Sequence, residues 1–513
     1  MKMNFFLAEL ADPNVSIPLV LPEMLLAVTG IIVMLYDSLR PGRRRVTGTI
    51  SMIGLILSAL ALFSLWSSPN PELSGFGGMI VADSLRMSFT AVFLLVAALT
   101  ILISTVWVEN EKVHAGEYHT LLLFATVGMM FMASGNDLVI IFLGLETLSI
   151  ATYVMAGMRR RDLRSNESAM KYFILGSYAS GFLLYGMALV YGATGTTNIT
   201  EMAQRIGDAQ FPALLLVGAA MLVIGFGFKV ATVPFHVWTP DVYEGAPSPV
   251  TGFMAAGPKA AGFASFLRVF VLGFPLLAGV QASAFLHDSW VTALTVMAIL
   301  TMTVGNVAAI VQNNVKRMLA YSSIAHAGYA LVGFVGAGVA KTTSGRDDAI
   351  AAVAFYMLTY AVTNLGAFAI VTLVARKNDR RTDFEDYNGI GFRSPVLAFS
   401  LSLFMLSLLG LPLTAGFIGK VLVFRPALEA GSTLMVTLVV IAVINTAISA
   451  YYYLRLIVVM FFRERSEEWV EPRMPTALAA VLVLTIIGVF YFGIAGNNVI
   501  EMFSNYPVDV QMR

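Results

Sequence analysis

The chain has 513 residues, of which 58% are hydrophobic and only 12% are charged. A soluble globular domain is about 45–50% apolar and about 25% charged, so an ordinary soluble enzyme is excluded. The net charge of +1 provides no field that would attract nucleic acid. The chain has no cysteine, which excludes disulfides and Cys-ligated zinc sites or iron–sulfur clusters. Any redox chemistry must therefore take place in other chains.

Apolar runs divide the chain into fourteen predicted membrane spans. Each run holds about 20 apolar residues bounded by charge or by Gly and Pro, which is enough for a helix to cross a bilayer. The short apolar patch at the N-terminus does not have the length of a signal peptide. No loop is long enough for a soluble domain, so 1–513 is predicted to be one all-α polytopic membrane domain. In chain order the predicted spans are 17–36, 46–66, 87–107, 118–134, 137–157, 168–192, 212–233, 248–272, 289–311, 318–339, 350–374, 395–424, 434–461 and 476–495.

Basic residues concentrate in alternate loops, for example at 43–45, 159–161 and 380–381. Cytoplasmic loops carry an excess of Lys and Arg. The pattern predicts that these loops face the cytoplasm and that both termini lie outside. Arg268 and Arg455 fall near the ends of predicted spans, where a long side chain can extend to the membrane surface.

Four ionisable residues fall well inside predicted spans. Glu146 lies in the fifth span, Lys229 in the seventh, Lys259 in the eighth and Lys420 in the twelfth. A charge at the centre of a membrane helix costs about 2.5–3.5 kcal/mol on insertion scales, so each should face a partner or water. A single buried ion pair could simply fix helix packing. Here the lysines outnumber the mid-span carboxylate. Because desolvation lowers the pKa of a lysine that has no carboxylate beside it, the series predicts a proton relay.

Two further sites carry alternatives. Lys171 follows Glu167 by four residues, so an interfacial ion pair within one helix competes with a relay role. His236 and His326 have the titration range for proton hand-off, although a membrane histidine can equally be a hydrogen-bonded packing residue. None of the histidines has metal-ligand spacing, and no nucleotide-binding motif is present. No cofactor is therefore expected in this chain.

Helix breakers accompany two of the lysines. Pro234 follows Lys229, and Pro412 precedes Lys420. Proline removes a backbone donor and clashes with the preceding turn. In a membrane such a break is tolerated only where it is buried in protein or lines a hydrated cavity. Broken helices at corresponding positions are typical of the transport site of a repeat-built transporter.

An internal repeat relates the middle of the chain to its second half. GNDLVIIFLGLETLSIATYVMAG runs parallel to QNNVKRMLAYSSIAHAGYALVG, and the seventh and twelfth spans then correspond. The first five-helix repeat is predicted at 118–272 and the second at 289–461. They are preceded by three helices at 17–107 and followed by one at 476–495. Because five is an odd number of helices, the copies must be inverted in the membrane.

Several stretches carry a specific family resemblance. They resemble the antiporter-like membrane subunits of respiratory complex I, and most of all the subunit N family. The loop EDYNGIGFRSP and the lysine in the twelfth span favour subunit N over its relatives. The matching stretches are FLGLETLSIATYVMAG, ESAMKYFILGS, KVATVPFHVWTPDVYEGAPSPVTGFMA, KRMLAYSSIAHAGYALVG, DFEDYNGIGFRSPVLA and LLGLPLTAGFIGK.

The resemblance implies fourteen helices with two inverted five-helix repeats that contain broken helices. It also implies proton translocation driven by electron transfer from NADH to quinone in other subunits, where NADH, FMN, the iron–sulfur clusters and quinone would bind. The implied partners are other membrane subunits, including neighbouring antiporter-like subunits, and membrane lipid; the implied location is the bacterial plasma (inner) membrane. By position it implies a relay of Glu146 paired with Lys229, Lys259 as the connecting lysine, Lys420 as the terminal lysine, the extra pair Lys171 and Glu167, and His326.

Two other functions are compatible with parts of this pattern. An Mrp-type cation/proton antiporter subunit shares the same core and would work without NADH or quinone. A membrane scaffold that transports nothing would tolerate replacement of the intramembrane lysines by leucine. The scaffold gains nothing from buried charge without a partner, so the proton-translocating subunit is the favoured interpretation.

Overall fold

The computed structural model describes residues 13–67, 74–111, 113–209, 211–276, 281–464 and 474–504. They form an almost entirely helical protein with one two-residue hairpin, β1 (Ser74–Gly75) and β2 (Ile80–Val81). The helices are α1 (Pro13–Leu39), α2 (Arg44–Trp66), α3 (Ser84–Glu111), α4 (Ala115–Ser134), α5 (Leu138–Ala156), α6 (Leu163–Thr194), α7 (Ile199–Arg205), α8 (Pro212–Val230), α9 (Thr239–Gly245), α10 (Ser248–Leu267), α11 (Gln281–Ile310), α12 (Val315–Gly338), α13 (Thr343–Ala375), α14 (Ile390–Arg393), α15 (Pro395–Leu409), α16 (Ala415–Ala430), α17 (Thr433–Phe462), α18 (Thr476–Ile494) and α19 (Gly496–Ser504).

Twelve helices of the described residues are long and apolar enough to span a membrane. They coincide with twelve of the fourteen predicted spans. The predicted span 118–134 lies in α4, whose first turns contain Glu117 and His119 and are therefore more polar. The predicted span 395–424 is divided between α15 and α16. The fourteen-span plan is thus recovered, with one span broken. The termini, whose outside location was predicted, lie beyond the described residues.

Both predicted helix breaks are present. Helix α8 ends at Val230, Ala231 adopts a left-handed conformation at φ +61°, and the chain resumes as α9. Helix α15 ends before Gly410, at φ +97°, and α16 begins at Ala415. The two lysines lie on different sides of their breaks, since Lys229 is in the last turn of α8 and Lys420 is in α16. The predicted seventh and twelfth spans are both broken, but Lys229 and Lys420 do not occupy equivalent positions relative to the breaks.

A repeated backbone bridge supports the internal repeat. Asp137 pairs with Asn198, and Asn314 pairs with Asp383, in isolated antiparallel bridges. Asp137 and Asn314 are also the N-caps of α5 and α12, where their side chains accept a backbone N–H of the first turn. When the two helices are aligned at these caps, Ser149 corresponds to His326 and Glu146 corresponds to Ser323.

Three helices form the centre of the molecule. In α10, α12 and α13, 94% of the residues of the most apolar segment are buried, against 33% in α6, α17 and α18. A membrane helix with both faces covered by protein tolerates polar side chains that lipid would not. Lys259 lies on α10 and His326 on α12, so the fold places these two predicted relay residues at its centre.

Candidate functional site

The buried end of Lys229 is held by a hydroxyl. Lys229 is 5% exposed, and its Nζ donates to Oγ of Ser149 on α5 at 2.8 Å. The Ser149 hydroxyl donates its own hydrogen bond to the carbonyl oxygen of Leu145 at 2.6 Å. The serine therefore accepts from Lys229, and the ammonium has a hydrogen-bonded partner without a neutralising charge.

Glu146 does not contact Lys229 directly. Its Oε1 accepts from the hydroxyl of Ser180 on α6 at 2.5 Å, and no ion pair joins it to Lys229 among the described residues. The direct pair expected from the resemblance is replaced by two serine contacts. A small cavity of about 10 Å³ is lined by Ser149, Ser180 and Lys229. That is about the least space that can hold one water molecule.

Lys259 on α10 is held by a single residue of α12. The side chain is 2% exposed, and its Nζ donates to both the carbonyl oxygen and the Oγ of Ser323 at 2.6 Å. Both acceptors are neutral. His326 lies one helical turn further along α12, so the two polar groups share one face of that helix.

His326 is bonded on both ring nitrogens. Its Nδ1 lies 2.6 Å from the hydroxyl of Tyr356, and its Nε2 lies 3.2 Å from the hydroxyl of Tyr453. Tyr453 in turn lies 2.5 Å from Oγ of Ser322. With one donor and one acceptor nitrogen in the neutral ring, His326 joins two hydroxyl groups that come from different helices.

Lys420 is held by the broken helix that precedes it. It is 4% exposed, and its Nζ donates to the carbonyls of Leu408 and Leu409 at 3.1 and 2.8 Å. The last carbonyls of a helix have no donor within the helix and carry the negative end of its dipole. The ammonium also lies 4.7 Å from the ring centre of Tyr329. The break in α15 therefore supplies the site for Lys420.

Lys229, Lys259 and Lys420 share one property. None of them forms an ion pair within the part of the chain that the structure describes. Their partners are hydroxyls and carbonyls. A buried charge without its counter-ion is expensive unless hydrogen bonds satisfy it. Such a site satisfies the N–H bonds of the ammonium and has no carboxylate in contact to hold its proton.

Four buried charges elsewhere form two ion pairs that were not predicted from the sequence. Glu23 and Arg86, both about 99% buried, lie 2.9 Å apart. Arg268 binds both carboxylate oxygens of Asp83 at 2.7 and 2.8 Å. The expectation that Arg268 extends to the surface is wrong, because its side chain is 1% exposed. Glu146 is also not alone as a carboxylate inside a span. The partners are more than sixty residues apart in the chain, so no local pattern indicates them.

Lys171 belongs to a charge network at the surface. The predicted pair with Glu167 is present at 2.8 Å, but Lys171 also contacts Asp241 at 2.6 Å. Arg317 bridges Asp241 and Glu244 at 2.7 and 3.0 Å. The side chain of Lys171 is 40% exposed, so the network holds α6, α9 and α12 together at the rim rather than within the buried line of lysines.

A second network is buried and joins the two repeats. Oδ2 of Asp379 lies 3.2 Å from Arg159, 3.0 Å from Lys316 and 3.0 Å from both the backbone nitrogen and Oγ of Ser248. Burial alone would raise the pKa of Asp379, but the positive charges of Lys316 and Arg159 bring it below its usual value. In the sequence, Arg159 and Lys316 indicated only membrane orientation.

Two predicted residues lie apart from the lysines. His236 is half-buried in the segment between α8 and α9, and its buried Nδ1 has no partner within the described ranges. Arg455 caps the end of α11 by donating to the carbonyls of Ile310 and Gln312 at 3.2 and 2.8 Å. Arg455 thus stabilises the C-terminal end of α11.

Comparison with known proteins gives a consistent family. Residues 135–449 match the family "NADH:quinone oxidoreductase/Mrp antiporter, TM". The chain is 44% identical to NADH-quinone oxidoreductase subunit N of Trichlorobacter lovleyi, covering 97% of this chain and 98% of the relative. It is also 44% identical to subunit N 2 of Koribacter versatilis, with 98% of each covered.

Solved structures extend the comparison to the fold. A chain of respiratory complex I from Thermus thermophilus with bound aureothin is 34% identical, with a TM-score of 0.77 and coverage of 93% and 98%. A chain of the Mrp complex from Dietzia sp. DQ12-45-1b has a TM-score of 0.78 over 95% and 96% of the two chains, but it is 18% identical and shows the fold alone.

Proposed function

Because the chain belongs to the NADH-quinone oxidoreductase subunit N family, we propose that Glu146, Lys229, Lys259, His326 and Lys420 carry protons through it. The chain is a membrane subunit of respiratory complex I, an oxidoreductase that couples electron transfer to translocation. Electron transfer from NADH to quinone takes place in other subunits, and this chain moves only protons.

One observation carries the proposal. The described residues pair four other buried charges, Glu23 with Arg86 and Arg268 with Asp83, yet leave three buried lysines with neutral partners. A scaffold would gain from pairing them too, since breaking a buried pair costs about 3–5 kcal/mol. Lysines left without a counter-ion are suited to releasing and regaining a proton.

The proton path follows the polar contacts. When Glu146 is drawn towards Lys229, the ammonium is stabilised. When the carboxylate moves away, Lys229 gives up a proton. Each hydroxyl on the path accepts one proton on its lone pair and releases its own, so charge moves while no atom travels far. His326 carries the proton from the Lys259 side to the Lys420 side by taking it on one ring nitrogen and releasing it from the other.

The proposal includes the surroundings of the chain. Its partners are other membrane subunits of the complex, among them neighbouring antiporter-like subunits, and membrane lipid. NADH, FMN, iron–sulfur clusters and quinone are bound elsewhere in the complex. The chain lies in the bacterial inner membrane with both termini outside. The positive-inside pattern of its loops supports this orientation, and the multi-pass helical architecture supports the membrane location.

The test compares Lys229→Ala with Lys341→Ala in the assembled complex. Lys341 is an exposed lysine on the opposite side from the basic loops, so its replacement removes the same charge outside the relay. We expect Lys229→Ala to abolish most proton translocation driven by NADH in membrane vesicles, while subunit content stays normal. Lys341→Ala should pump like the wild type. Full pumping by an assembled Lys229→Ala complex would refute the relay. Sodium-dependent proton exchange without NADH would instead indicate Mrp-type antiport.

A further inference from the structure

A long groove runs down the outer face of the molecule between α2 and α3. Its upper part has a volume of about 570 Å³ and reaches the start of α18, and its lower part has a volume of about 360 Å³. Met52 lines both parts, so the groove is continuous. The 23 residues of α2 span about 35 Å at 1.5 Å per residue, so the groove extends through the hydrocarbon thickness of a bilayer.

The walls of the lower part are apolar. They are formed by Leu55, Ala59 and Leu62 of α2 and by Leu94 and Leu95 of α3. A groove of this length and lining offers nothing to a soluble ligand but matches a hydrocarbon chain lying parallel to the helices. Half a bilayer corresponds to about ten residues of α2, so one acyl chain reaches from the upper part to the level of Ala59.

The upper end of the groove is basic. Arg44 and Arg45 line it, together with Glu109. Arg45 contacts the Glu109 carboxylate at 3.1 Å through Nε, and its side chain is 91% exposed. Nη1 of Arg44 donates a hydrogen bond to the backbone carbonyl of Glu109, which leaves most N–H donors of the Arg44 side chain available. Two cations against one carboxylate leave a net positive charge, on the side whose loops are predicted to be cytoplasmic. Anionic headgroups of that leaflet attract such residues.

A buried histidine adds an independent indication of a ligand. His119 is 3% exposed, and its Nδ1 lies 3.1 Å from Oγ1 of Thr47. His119 lines the groove, and its Nε2, which is itself buried, has no partner among the described residues. A buried polar atom without a hydrogen bond is destabilising. Gly48 keeps the space open in front of it, since a Cβ there would lie 3.7 Å from Nε2.

We propose that this groove binds one anionic phospholipid of the cytoplasmic leaflet. The phosphate lies against Arg44 and Arg45. The glycerol ester region lies beside His119. Because the Thr47 hydroxyl donates to the carbonyl of Arg44 and accepts from Nδ1–H of His119, Nε2 is an acceptor, and a water that donates to Nε2 and to an ester oxygen joins the two. One acyl chain follows the cleft between α2 and α3. None of the lysines Lys229, Lys259 and Lys420 lines the groove, so the proposal does not depend on the proton relay.

Photo-crosslinking tests the site in the intact complex. The complex is reconstituted in vesicles that contain a trace of phosphatidylglycerol or of phosphatidylcholine, each with a diazirine near the middle of one acyl chain. Adducts are then mapped on peptides. We expect the phosphatidylglycerol probe to label the α2 segment around Leu55 and Ala59, and the phosphatidylcholine probe to label it much less. Excess inorganic phosphate should not compete, because the acyl chain contributes most of the binding.

Variants locate the headgroup and the chain. Arg44→Gln with Arg45→Gln should reduce phosphatidylglycerol labelling by about fivefold or more, the effect of removing basic side chains from an anionic membrane surface. Gly48→Leu should block the groove and reduce labelling by both probes. The control, Arg160→Gln with Arg161→Gln, removes two cations from another loop on the same side and should change nothing.

Three results would overturn the proposal. Equal labelling by both probes in the wild type would mean ordinary boundary lipid. Labelling that survives in the Arg44 and Arg45 double variant would remove the headgroup site. An unlabelled α2 in the wild-type complex would mean that another chain covers the groove. Two of these results are read from the wild-type complex. They can therefore contradict the proposal even if one variant fails to assemble.

Discussion

The chemistry of the buried lysines is decided by the partner of each ammonium group. A carboxylate in contact would fix the proton, whereas a hydroxyl or a carbonyl satisfies the N–H bonds without neutralising the charge. Lys229 has the Ser149 hydroxyl, and Lys259 has both polar oxygens of Ser323. At the scale of the single residue, the ability to exchange protons therefore depends on serines as much as on lysines.

This difference predicts unequal effects of two serine substitutions. Ser149→Ala removes the hydrogen-bond acceptor that the structure gives Lys229, while Ser323→Ala leaves Lys259 its carbonyl partner. We expect Ser149→Ala to lower NADH-driven proton translocation several-fold and Ser323→Ala to lower it less. Ser88→Ala is the control, because Ser88 donates only within its own helix. Equal pumping by all three assembled variants would show that the serines are packing residues.

The break in the membrane helix is the decisive feature at the scale of the element. At the break between α15 and α16, the carbonyls of Leu408 and Leu409 have no donor within the helix. Nζ of Lys420 donates hydrogen bonds to both of them. Gly410 makes the turn possible, at φ +97°, which L-residues with a Cβ rarely adopt. Gly410 also lies against Lys420, since a Cβ at position 410 would be 3.4 Å from Cδ of Lys420.

The break can be tested with a matched pair of glycines. Gly410→Ala should strain the backbone by about 1–2 kcal/mol and press on Lys420, so proton translocation should fall. Gly431→Ala introduces similar strain at φ +72°, where a Cβ would meet little but the carbonyl of Glu429 at 3.9 Å. We expect similar losses of thermal stability from both and a loss of pumping from the first alone. Equal pumping would show that the break serves only folding.

Asp379 acts at the scale of the whole molecule, because it joins segments that are far apart in the chain. Its carboxylate receives Arg159 and Ser248 from the predicted first repeat and Lys316 from the predicted second repeat. Asp379→Asn leaves the buried Lys316 without a carboxylate in contact and leaves Arg159 with only Asp162, at 3.5 Å. We expect a loss of about 3–5 kcal/mol in stability, measured as a lower melting temperature of the complex. Asp288→Asn, at an 83% exposed side chain, should melt like the wild type.

The same carboxylate predicts a pH dependence. Its pKa in the folded protein lies below the usual value, about 3.9 in peptides. Its stabilisation is therefore present above that value and disappears as the pH falls through the lower folded pKa. The difference in melting temperature between wild type and Asp379→Asn should stay constant from about pH 7 to pH 5 and shrink only in stronger acid. A difference that already disappears near pH 6 would contradict the network.

Much of the architecture was predictable from local composition. Apolar runs indicated the spans, and proline and glycine indicated both breaks, because hydrophobic length and backbone geometry are properties of adjacent residues. Lys171 and Glu167 were predicted to pair because they are one turn apart. The partners Asp83 for Arg268 and Asp379 for Arg159 were not predictable, since they are 185 and 220 residues away in the chain.

The sequence by itself therefore determined the membrane class, the number and order of the spans, and the identity of the buried lysines Lys229, Lys259 and Lys420 within spans. All of these follow from the hydrophobicity, charge and helix-breaking character of neighbouring residues. Only the tertiary structure decided that Arg268 is paired, that Glu146 and Lys229 are separated by two serines, and that Lys420 binds the end of α15. Partner choice depends on how distant helices pack, and packing is a property of the assembled fold.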